Sequence, residues 1–150
     1  MNLGTAQPYI ASYVIFRKGD KVAFVLRSGT NWMDGYYGLA AGKVEEDESF
    51  TQAAIREAKE EVGIQLKESS LKQVFTMHRR DPESDIKFWV DVFFEVTEWE
   101  GELFNAEPHM HSEVAWLDTN NLPENIITSI RFVLSEIAKG HNYAEYGWDI

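Results

Sequence analysis

The sequence has no cysteine and no long apolar run, and each absence narrows the range of functions. Without cysteine in its 150 residues, the chain cannot form disulfides, thiolate zinc sites or a thiol nucleophile. No apolar run approaches the roughly 20 residues of a membrane span. The start, Met1 to Thr5, also lacks the basic-then-apolar order of a signal peptide. We therefore expect a single domain over residues 1–150 that stays in the cytoplasm and has no membrane partner.

Basic residues are also scarce. The chain holds 14 Lys and Arg against 25 Asp and Glu, which gives a formal net charge of −11. Nucleic-acid polymers are held mainly by Lys and Arg, so this balance argues against such a partner. A small anion is compatible with the composition if a divalent cation offsets the charge of both ligand and protein. An ordinary acidic surface would have the same composition, so the charge indicates a metal without requiring one.

Predicted strands and helices are mixed along the chain. Runs rich in β-branched and aromatic residues predict strands. They cover residues 9–17, 21–27, 71–78, 87–96 and 113–117. A helical pattern at 49–62 follows the second of these runs, and another at 125–139 follows the last. The order predicts an α/β (α+β) fold in which a mixed β-sheet is sandwiched between α-helices. The aromatic tail, 141–150, is expected to pack on the body of the domain.

The first predicted helix has recognisable signals at both ends. Ser49 can cap its amino end, and Gln52, three residues later, completes a capping box. Gly63 follows the last apolar position and is a typical helix stop. The predicted bounds of this helix therefore have a stated chemical cause at each end.

Three glutamates share one edge of this helix. At about 100° per residue, Glu57, Glu60 and Glu61 fall within an arc of roughly 100°. Glu57 and Glu61 are four residues apart, a spacing at which like charges destabilise a helix by a few tenths of a kcal/mol. A hard cation such as Mg²⁺ would turn this repulsion into a binding site, because it prefers oxygen ligands. The alternative is a solvated acidic face.

The surrounding residues favour the metal site. From Gly42 to Ile64 the chain matches the pattern G-x5-E-x7-R-E-U-x-E-E-x-G-U, in which U is a bulky apolar residue. This stretch resembles the Nudix box of the Nudix hydrolase superfamily. Every fixed position agrees, namely Gly42, Glu48, Arg56, Glu57, Glu60, Glu61 and Gly63. One departure is Ala58, which is smaller than the usual apolar residue in its slot.

The resemblance implies roles for the residues of the box. In the family, residues matching Glu57, Glu60 and Glu61 bind one or more Mg²⁺ or Mn²⁺ ions, and a carbonyl matching Gly42 often joins them. The residue matching Arg56 pairs with acidic groups of the box, here Glu48, and orients the ligands. The resemblance thus implies Mg²⁺ as cofactor, with Mn²⁺ as a substitute.

The resemblance continues beyond the box. Trp99 to Glu102, followed by Glu107, is similar to the matching stretch of the MutT-type nucleoside triphosphatases. There a glutamate like Glu107 faces the metal, so Glu107 is expected to be a further ligand or the general base. Glu113 is the second candidate for the same role. The expected catalytic residues are Glu60, Glu61, Glu107 and Arg56.

Candidates for substrate contacts lie in or beside the predicted strands and in the loop before the box. They are Arg27, Tyr37, His78 and Arg79. Arginine pairs well with phosphate, and an aromatic ring can stack on a base. Ordinary surface or core roles fit the same residues. A separate pair, His109 and His111, has no further His or Cys at a familiar spacing, which argues against a transition-metal site built by these two histidines.

The reaction implied by the resemblance is attack of an activated water on a phosphorus atom of a pyrophosphate bridge. The first hypothesis is a MutT-type enzyme that splits nucleoside triphosphates, including damaged ones, into monophosphate and pyrophosphate. A hydrolase of ADP-ribose or another nucleoside diphosphate sugar is the alternative, because the loops decide the substrate. A non-catalytic nucleotide sensor is a third hypothesis. All three imply a small nucleotide as partner and leave a homodimer open.

Overall fold

A computed structural model describes residues 4–82 and 88–148, which form eight strands and two α-helices. The strands are β1 (Tyr9–Lys18), β2 (Lys21–Arg27), β3 (Tyr37–Gly38), β4 (Ala40–Lys43), β5 (Lys72–Arg80), β6 (Phe88–Val96), β7 (His111–Asp118) and β8 (Tyr143–Tyr146). The helices are α1 (Phe50–Val62) and α2 (Thr128–Ala138), and a short 3₁₀ turn covers Glu68–Ser70. In this part of the chain no helix has the length and apolar content needed to cross a membrane.

Strand β1 lies at the centre of a mixed sheet. It pairs in parallel with β6 and antiparallel with β4 and β2, and the pairing with β2 covers only the turn, Arg17 with Val22 and Lys18 with Lys21. Beyond that turn, β2 pairs with β3 and β7. On the other side of β1, β5 lies between β6 and β8. The sheet contains both parallel and antiparallel neighbours, as predicted.

Successive residues of β1 point to opposite faces of the sheet and so into two apolar cores. Val14 and Phe16 lie in one core, and Ile15 lies in the other. The first core contains Ala54, Ala58 and Val62 of α1. The second contains Ile130, Val133 and Leu134 of α2. One helix therefore covers each face of the sheet, and the predicted sandwich of a mixed sheet between helices is confirmed.

Helix α1 begins and ends at the predicted signals. The Ser49 side chain accepts from the backbone N–H of Gln52, and the Gln52 side chain accepts from the backbone of Ser49. Gly63 ends the helix with a φ of 72°, a left-handed conformation that glycine adopts without strain. Ala58, the small residue of the box, is fully buried against the sheet. Its size allows the helix backbone to lie close to the strands below.

Two segments differ most from their predicted form, while β5 ends at Arg80 and β7 begins at His111, each two residues beyond its predicted bound. Helix α2 begins at Thr128 rather than at 125, because the chain before it makes backbone hydrogen bonds to Tyr37: Tyr37 N–H donates to Asn125, and Ile127 N–H donates to Tyr37. The tail contributes a strand, β8, which pairs with β5 and was not foreseen as a strand. The predicted strand 87–96 is β6, and its first residue, Lys87, lies outside the described residues.

Candidate metal centre and substrate cavity

The acidic edge of α1 lies partly in the interior of the protein. Glu57 and Glu61 are buried, with 9% and 6% of their surface exposed, whereas Glu60 is exposed. Carboxylates are rarely buried unless a cation or several hydrogen bonds compensate for the lost hydration. The surroundings of these two side chains therefore decide what the edge can do.

Arg56 holds the outer part of this edge. Its Nε and Nη2 donate to the two oxygens of Glu48, both at 2.8 Å, and Nη2 also donates to the carbonyl of Lys43 at 3.0 Å. Its Nη1 donates to Glu57 at 2.6 Å and to Glu60 at 3.3 Å. Hydrogen bonds from the guanidinium lower the pKa of Glu48. One arginine thus fixes the position of three carboxylates.

The inner carboxylates carry more negative charge than nearby cations offset. Burial raises the pKa of Glu57 to about 7, against the lowering effect of Arg56, and Glu60 and Glu107 add to the rise. Burial, then the charge of Glu57, raises the pKa of Glu61 well above its ordinary value. The pKa of Glu107 is also raised, first by burial and then by Glu60. These groups can relieve their repulsion by taking up protons or by binding a cation.

Strand β4 places backbone against the same carboxylates. The Ala41 N–H donates to Oε2 of Glu61 at 2.6 Å. A Cβ atom at Gly42 would overlap the Glu57 carboxylate. Since Arg56 holds that carboxylate in place, it cannot move aside freely. Only glycine fits at this close approach, which explains the first fixed position of the motif.

Glu107 reaches the cluster because its loop is fastened to the end of α1. The Phe104 N–H donates to the Val62 carbonyl, and the Ala106 N–H donates to the Glu61 carbonyl, both at 3.1 Å. The His111 N–H then donates to the Glu107 carbonyl at 3.0 Å, which closes a turn between these two residues. The loop therefore brings Glu107 beside Glu61, although 46 positions separate them in the numbering.

The same turn brings a histidine to the cluster. One ligand atom from each of Glu61, Glu107 and His111 lies within 4.8 Å of the other two. His111 is only 2% exposed, and its Nε2 lies 3.4 Å from Oε1 of Glu61. Burial, then the charges of Arg27 and His109, lowers the pKa of His111 to about 4, so the ring is neutral at neutral pH. Sequence reasoning missed this residue because it searched for His and Cys partners, and the partners are carboxylates.

A cavity of about 630 Å³ opens beside the acidic cluster. Glu61 and Gly42 line it on the cluster side, and the rest of the lining is mostly apolar and aromatic with a few charged side chains. Among these are Arg27, Trp32, Arg79 and Trp89. The volume lies in the usual range for small-molecule sites, roughly 300–1,000 Å³. The cavity thus joins apolar walls and positive groups to a cluster of carboxylates.

The cavity contains two of the four predicted substrate-binding residues, and the other two contact different groups. Arg27 and Arg79 line it. Tyr37 donates a hydrogen bond of 2.5 Å to Glu113, which is exposed on β7. His78 packs on the Trp148 ring at 4.7 Å, and its carbonyl accepts from the Trp148 indole. Glu107 rather than Glu113 is thus the residue that joins the cluster.

The donor set fits a divalent cation. Buried carboxylate oxygens beside an open cavity are the ligands that Mg²⁺ and Mn²⁺ use in proteins, and both ions leave coordination positions for water or phosphate. Helix α1 carries the carboxylates of Glu57, Glu60 and Glu61, and the loop places that of Glu107 close to Glu61. The raised pKa values of Glu57, Glu61 and Glu107 indicate the uncompensated charge that such a cation would offset.

Comparison with known proteins agrees with this arrangement. The chain is 32% identical to an ADP-ribose pyrophosphatase of Methanocaldococcus jannaschii over 117 residues, which cover 78% of this chain and 66% of the relative. It is 35% identical to an 8-oxo-dGTP diphosphatase of Proteus vulgaris over 95 residues, 63% of this chain and 80% of the relative. The structure of a MutT NUDIX hydrolase from Burkholderia pseudomallei superposes with a TM-score of 0.79 and 23% identity, covering 88% of this chain and 99% of that one. The NUDIX domain family model matches residues 7–134, and the chain therefore belongs to the Nudix family.

Proposed function

We propose that this protein is a Mg²⁺-dependent hydrolase that splits a nucleoside triphosphate into nucleoside monophosphate and pyrophosphate. The observation that carries the proposal is the cluster of Glu57, Glu61 and Glu107 beside the cavity, where buried negative charge exceeds what nearby cations offset. A substrate with phosphates can share a divalent cation with these carboxylates. Such a substrate also fits the cytoplasmic location that we predict from the sequence.

The reaction needs a water activated for attack and a leaving group whose charge is stabilised. When bound, Mg²⁺ supplies electrostatic stabilisation of the phosphate oxygens. We assign Glu57, Glu60 and Glu61, with the Gly42 carbonyl, to hold it, and Arg56 with Glu48 to keep these ligands in place. The water oxygen forms a bond to one phosphorus, and the bridging P–O bond breaks with its electron pair leaving on the bridging oxygen. We assign Glu107 to bind the cation through one carboxylate oxygen and to accept the proton of the attacking water through the other.

The cavity walls support a nucleotide as substrate. Trp32 and Trp89 offer aromatic faces for a base. Arg27 is held by its hydrogen bond to the Trp32 carbonyl at 2.8 Å and lies over that ring, so its position is fixed before a ligand binds. We assign Arg27 and Arg79 to anionic groups of the substrate. Tyr37 and His78 are already engaged with Glu113 and Trp148, so we assign them supporting positions around the cavity.

A second candidate substrate is ADP-ribose or another nucleoside diphosphate sugar. The observation that favours it is the 32% identity to the relative named ADP-ribose pyrophosphatase. Both candidate reactions use the same acidic cluster and the same bond cleavage. They differ in the group attached beyond the second phosphate, which the loops around the cavity must accommodate.

A nucleotide panel in ¹⁸O-labelled water separates the candidates. The purified chain with Mg²⁺ is given normal and oxidised nucleoside triphosphates and, separately, ADP-ribose. We expect monophosphate and pyrophosphate from triphosphates, with the label showing which phosphorus was attacked. Faster release of AMP and ribose phosphate from ADP-ribose would favour the second candidate. No hydrolysis of any nucleotide would contradict both.

Two matched pairs of variants serve as controls. Glu61→Gln should abolish hydrolysis, whereas Glu46→Gln, at an exposed position of the box outside its fixed pattern, should not. Glu107→Gln should lower the rate much more than Glu113→Gln. Of these two glutamates, Glu107 lies with Glu61 in the cluster, whereas Glu113 accepts a hydrogen bond from Tyr37. The reverse order would move the base to Glu113.

A further inference from the structure

We propose that His111 is a nitrogen ligand of the metal centre, so that the centre binds Mn²⁺ and similar transition ions more tightly than Mg²⁺. The proposal rests on the proposed function, since it places the cation beside Glu61 and Glu107. It adds a residue outside the Nudix box and a direction of metal preference.

The first argument is the position of the ring. Nε2 of His111 lies 3.4 Å from Oε1 of Glu61, and all three ligand atoms of the group lie within 4.8 Å of one another. In an octahedral shell with bonds of about 2.1 Å, neighbouring ligand atoms are about 3 Å apart and opposite ones about 4.2 Å. The 3.4 Å separation is thus close to that of neighbouring ligands, and the bound of 4.8 Å lies about 0.6 Å above the distance between opposite ligands.

The second argument is the cost of this histidine to the fold. Only 2% of the surface of His111 is exposed, and its Nδ1 has no hydrogen-bond partner among residues 4–82 and 88–148. A buried polar atom without a partner is destabilising, and an apolar side chain would avoid that cost. A function for the other ring nitrogen, which faces Glu61, explains why histidine occupies the position.

The third argument is that backbone hydrogen bonds fix the positions of His111 and Glu107 relative to each other. The N–H groups of Met110 and His111 both donate to the Glu107 carbonyl, at 2.9 and 3.0 Å. The Asn105 side chain donates to the His111 carbonyl at 2.7 Å and accepts from the Glu107 N–H at 3.2 Å. These bonds hold the backbone of both residues in place before any cation binds.

A nitrogen ligand changes which cation is favoured. Mg²⁺ prefers oxygen ligands, whereas imidazole suits first-row transition ions. Glu61 and Glu107 serve either ion, so the removal of His111 should weaken Mn²⁺ binding and leave Mg²⁺ binding nearly unchanged. A purely structural role would instead weaken both ions together or neither.

Pulsed electron paramagnetic resonance of Mn²⁺ bound to the purified full chain tests the contact directly. We expect modulation of the electron spin echo from a directly bound ¹⁴N nucleus, and a change to the ¹⁵N pattern when the protein is grown with ¹⁵N-histidine. This measurement on the unaltered chain does not depend on the folding of a variant. Echoes without nitrogen modulation would overturn the proposal.

Variants test which residue gives the nitrogen modulation and which residue sets the preference for Mn²⁺ over Mg²⁺. His111→Gln should remove the nitrogen modulation and lower Mn²⁺ affinity by about tenfold or more, with Mg²⁺ affinity unchanged within about twofold. His109→Gln is the matched control, because His109 is exposed and only two positions away; it should leave both unchanged. An equal loss for both ions in His111→Gln, or retained modulation, would overturn the proposal. Hydrolysis with Mg²⁺ is scored separately, so the proposed function can stand while this inference fails, and the reverse.

Discussion

Two groups of buried charge border the cavity, and they are built in opposite ways. Arg79 and Asp91 form a balanced pair: Nε and Nη2 of the arginine donate to the two carboxylate oxygens at 2.7 and 3.1 Å. Asp91 is fully buried, and the Arg79 guanidinium also lies over the Trp89 ring at 4.8 Å. The acidic cluster around Glu57, Glu61 and Glu107 has no such balance.

The difference shows how the two groups contribute to the protein. In the pair, two hydrogen bonds from Arg79 offset part of the cost of burying Asp91, although burial still raises the pKa of that carboxyl. In the cluster, burial and mutual repulsion raise the pKa values of the carboxylates, which means that the folded chain alone leaves their charges unfavourable. Excess charge of one sign beside a cavity is typical of a functional site. Arg79 belongs to the pair and also lines the cavity, where we assign it to an anionic group of the substrate.

The largest expected effect is on turnover. Glu61→Gln should lower the rate of nucleotide hydrolysis by roughly 10³-fold or more, or about 4 kcal/mol of activation free energy, because it removes ligand charge. Gln keeps the volume of Glu, so the circular dichroism spectrum should not change. A variant with near-normal turnover would contradict the functional interpretation of the cluster.

The second effect is on stability and concerns the balanced pair. Asp91→Ala should lower the free energy of unfolding by about 3 kcal/mol, because it leaves Arg79 buried without its partner. The double change Asp91→Leu with Arg79→Met should recover most of this loss. Urea denaturation of the three proteins checks the expectation, and a double variant as unstable as the single one would show that the pair has another role.

The third effect has the opposite sign and depends on pH. With EDTA present, Glu57→Gln should be more stable than the unaltered chain by about 2 kcal/mol at pH 8. The pKa of Glu57 is about 7 in the folded chain and near 4.5 in the unfolded chain. The free energy of unfolding therefore falls as the pH rises between those two values. The difference should therefore vanish below about pH 4. Denaturation curves at several pH values test this, and a variant less stable at pH 8 would mean that Arg56 fully compensates Glu57.

The smallest effect tests the helix that carries the cluster. Ser49→Ala removes a cap whose side chain accepts from the Gln52 N–H, and it should cost about 1 kcal/mol of unfolding free energy. Turnover per folded molecule should not change, because Ser49 lies ahead of the acidic edge. Thermal denaturation with a rate assay separates the two quantities. A large fall in turnover would show that the acids depend on the exact start of the helix.

Local signals in the sequence were sufficient for helix α1 and for most strands. The capping box at Ser49 and the stop at Gly63 depend on contacts within a few residues, and the structure contains both. The start of α2 could not be predicted in the same way, since distant Tyr37 holds the residues just before it. Strand β8 is short and depends on pairing with β5, so its own residues carry too weak a pattern.

The candidate site likewise combines one part that local sequence patterns predict with one part that depends on contacts between distant segments. The glutamates of α1 share an edge because of helical periodicity, which the sequence shows directly. The approach of His111 to Glu61 depends on how the loop before β7 is bonded to the end of α1. Such a contact joins two segments of unrelated pattern, and spacing rules for histidine and cysteine do not cover it.

The bonds between that loop and α1 link the length of the helix to the geometry of the centre. Val62 and Glu61 use carbonyls at the helix end to accept from Phe104 and Ala106, and the Phe104 ring lies where a Cβ of residue 63 would be. One extra residue in the last turn would rotate those carbonyls by about 100° and carry them about 1.5 Å along the axis. The loop would then either lose its hydrogen bonds to the helix or move together with Glu107. A change in the length of α1 would therefore alter either the attachment of this loop or the position of Glu107.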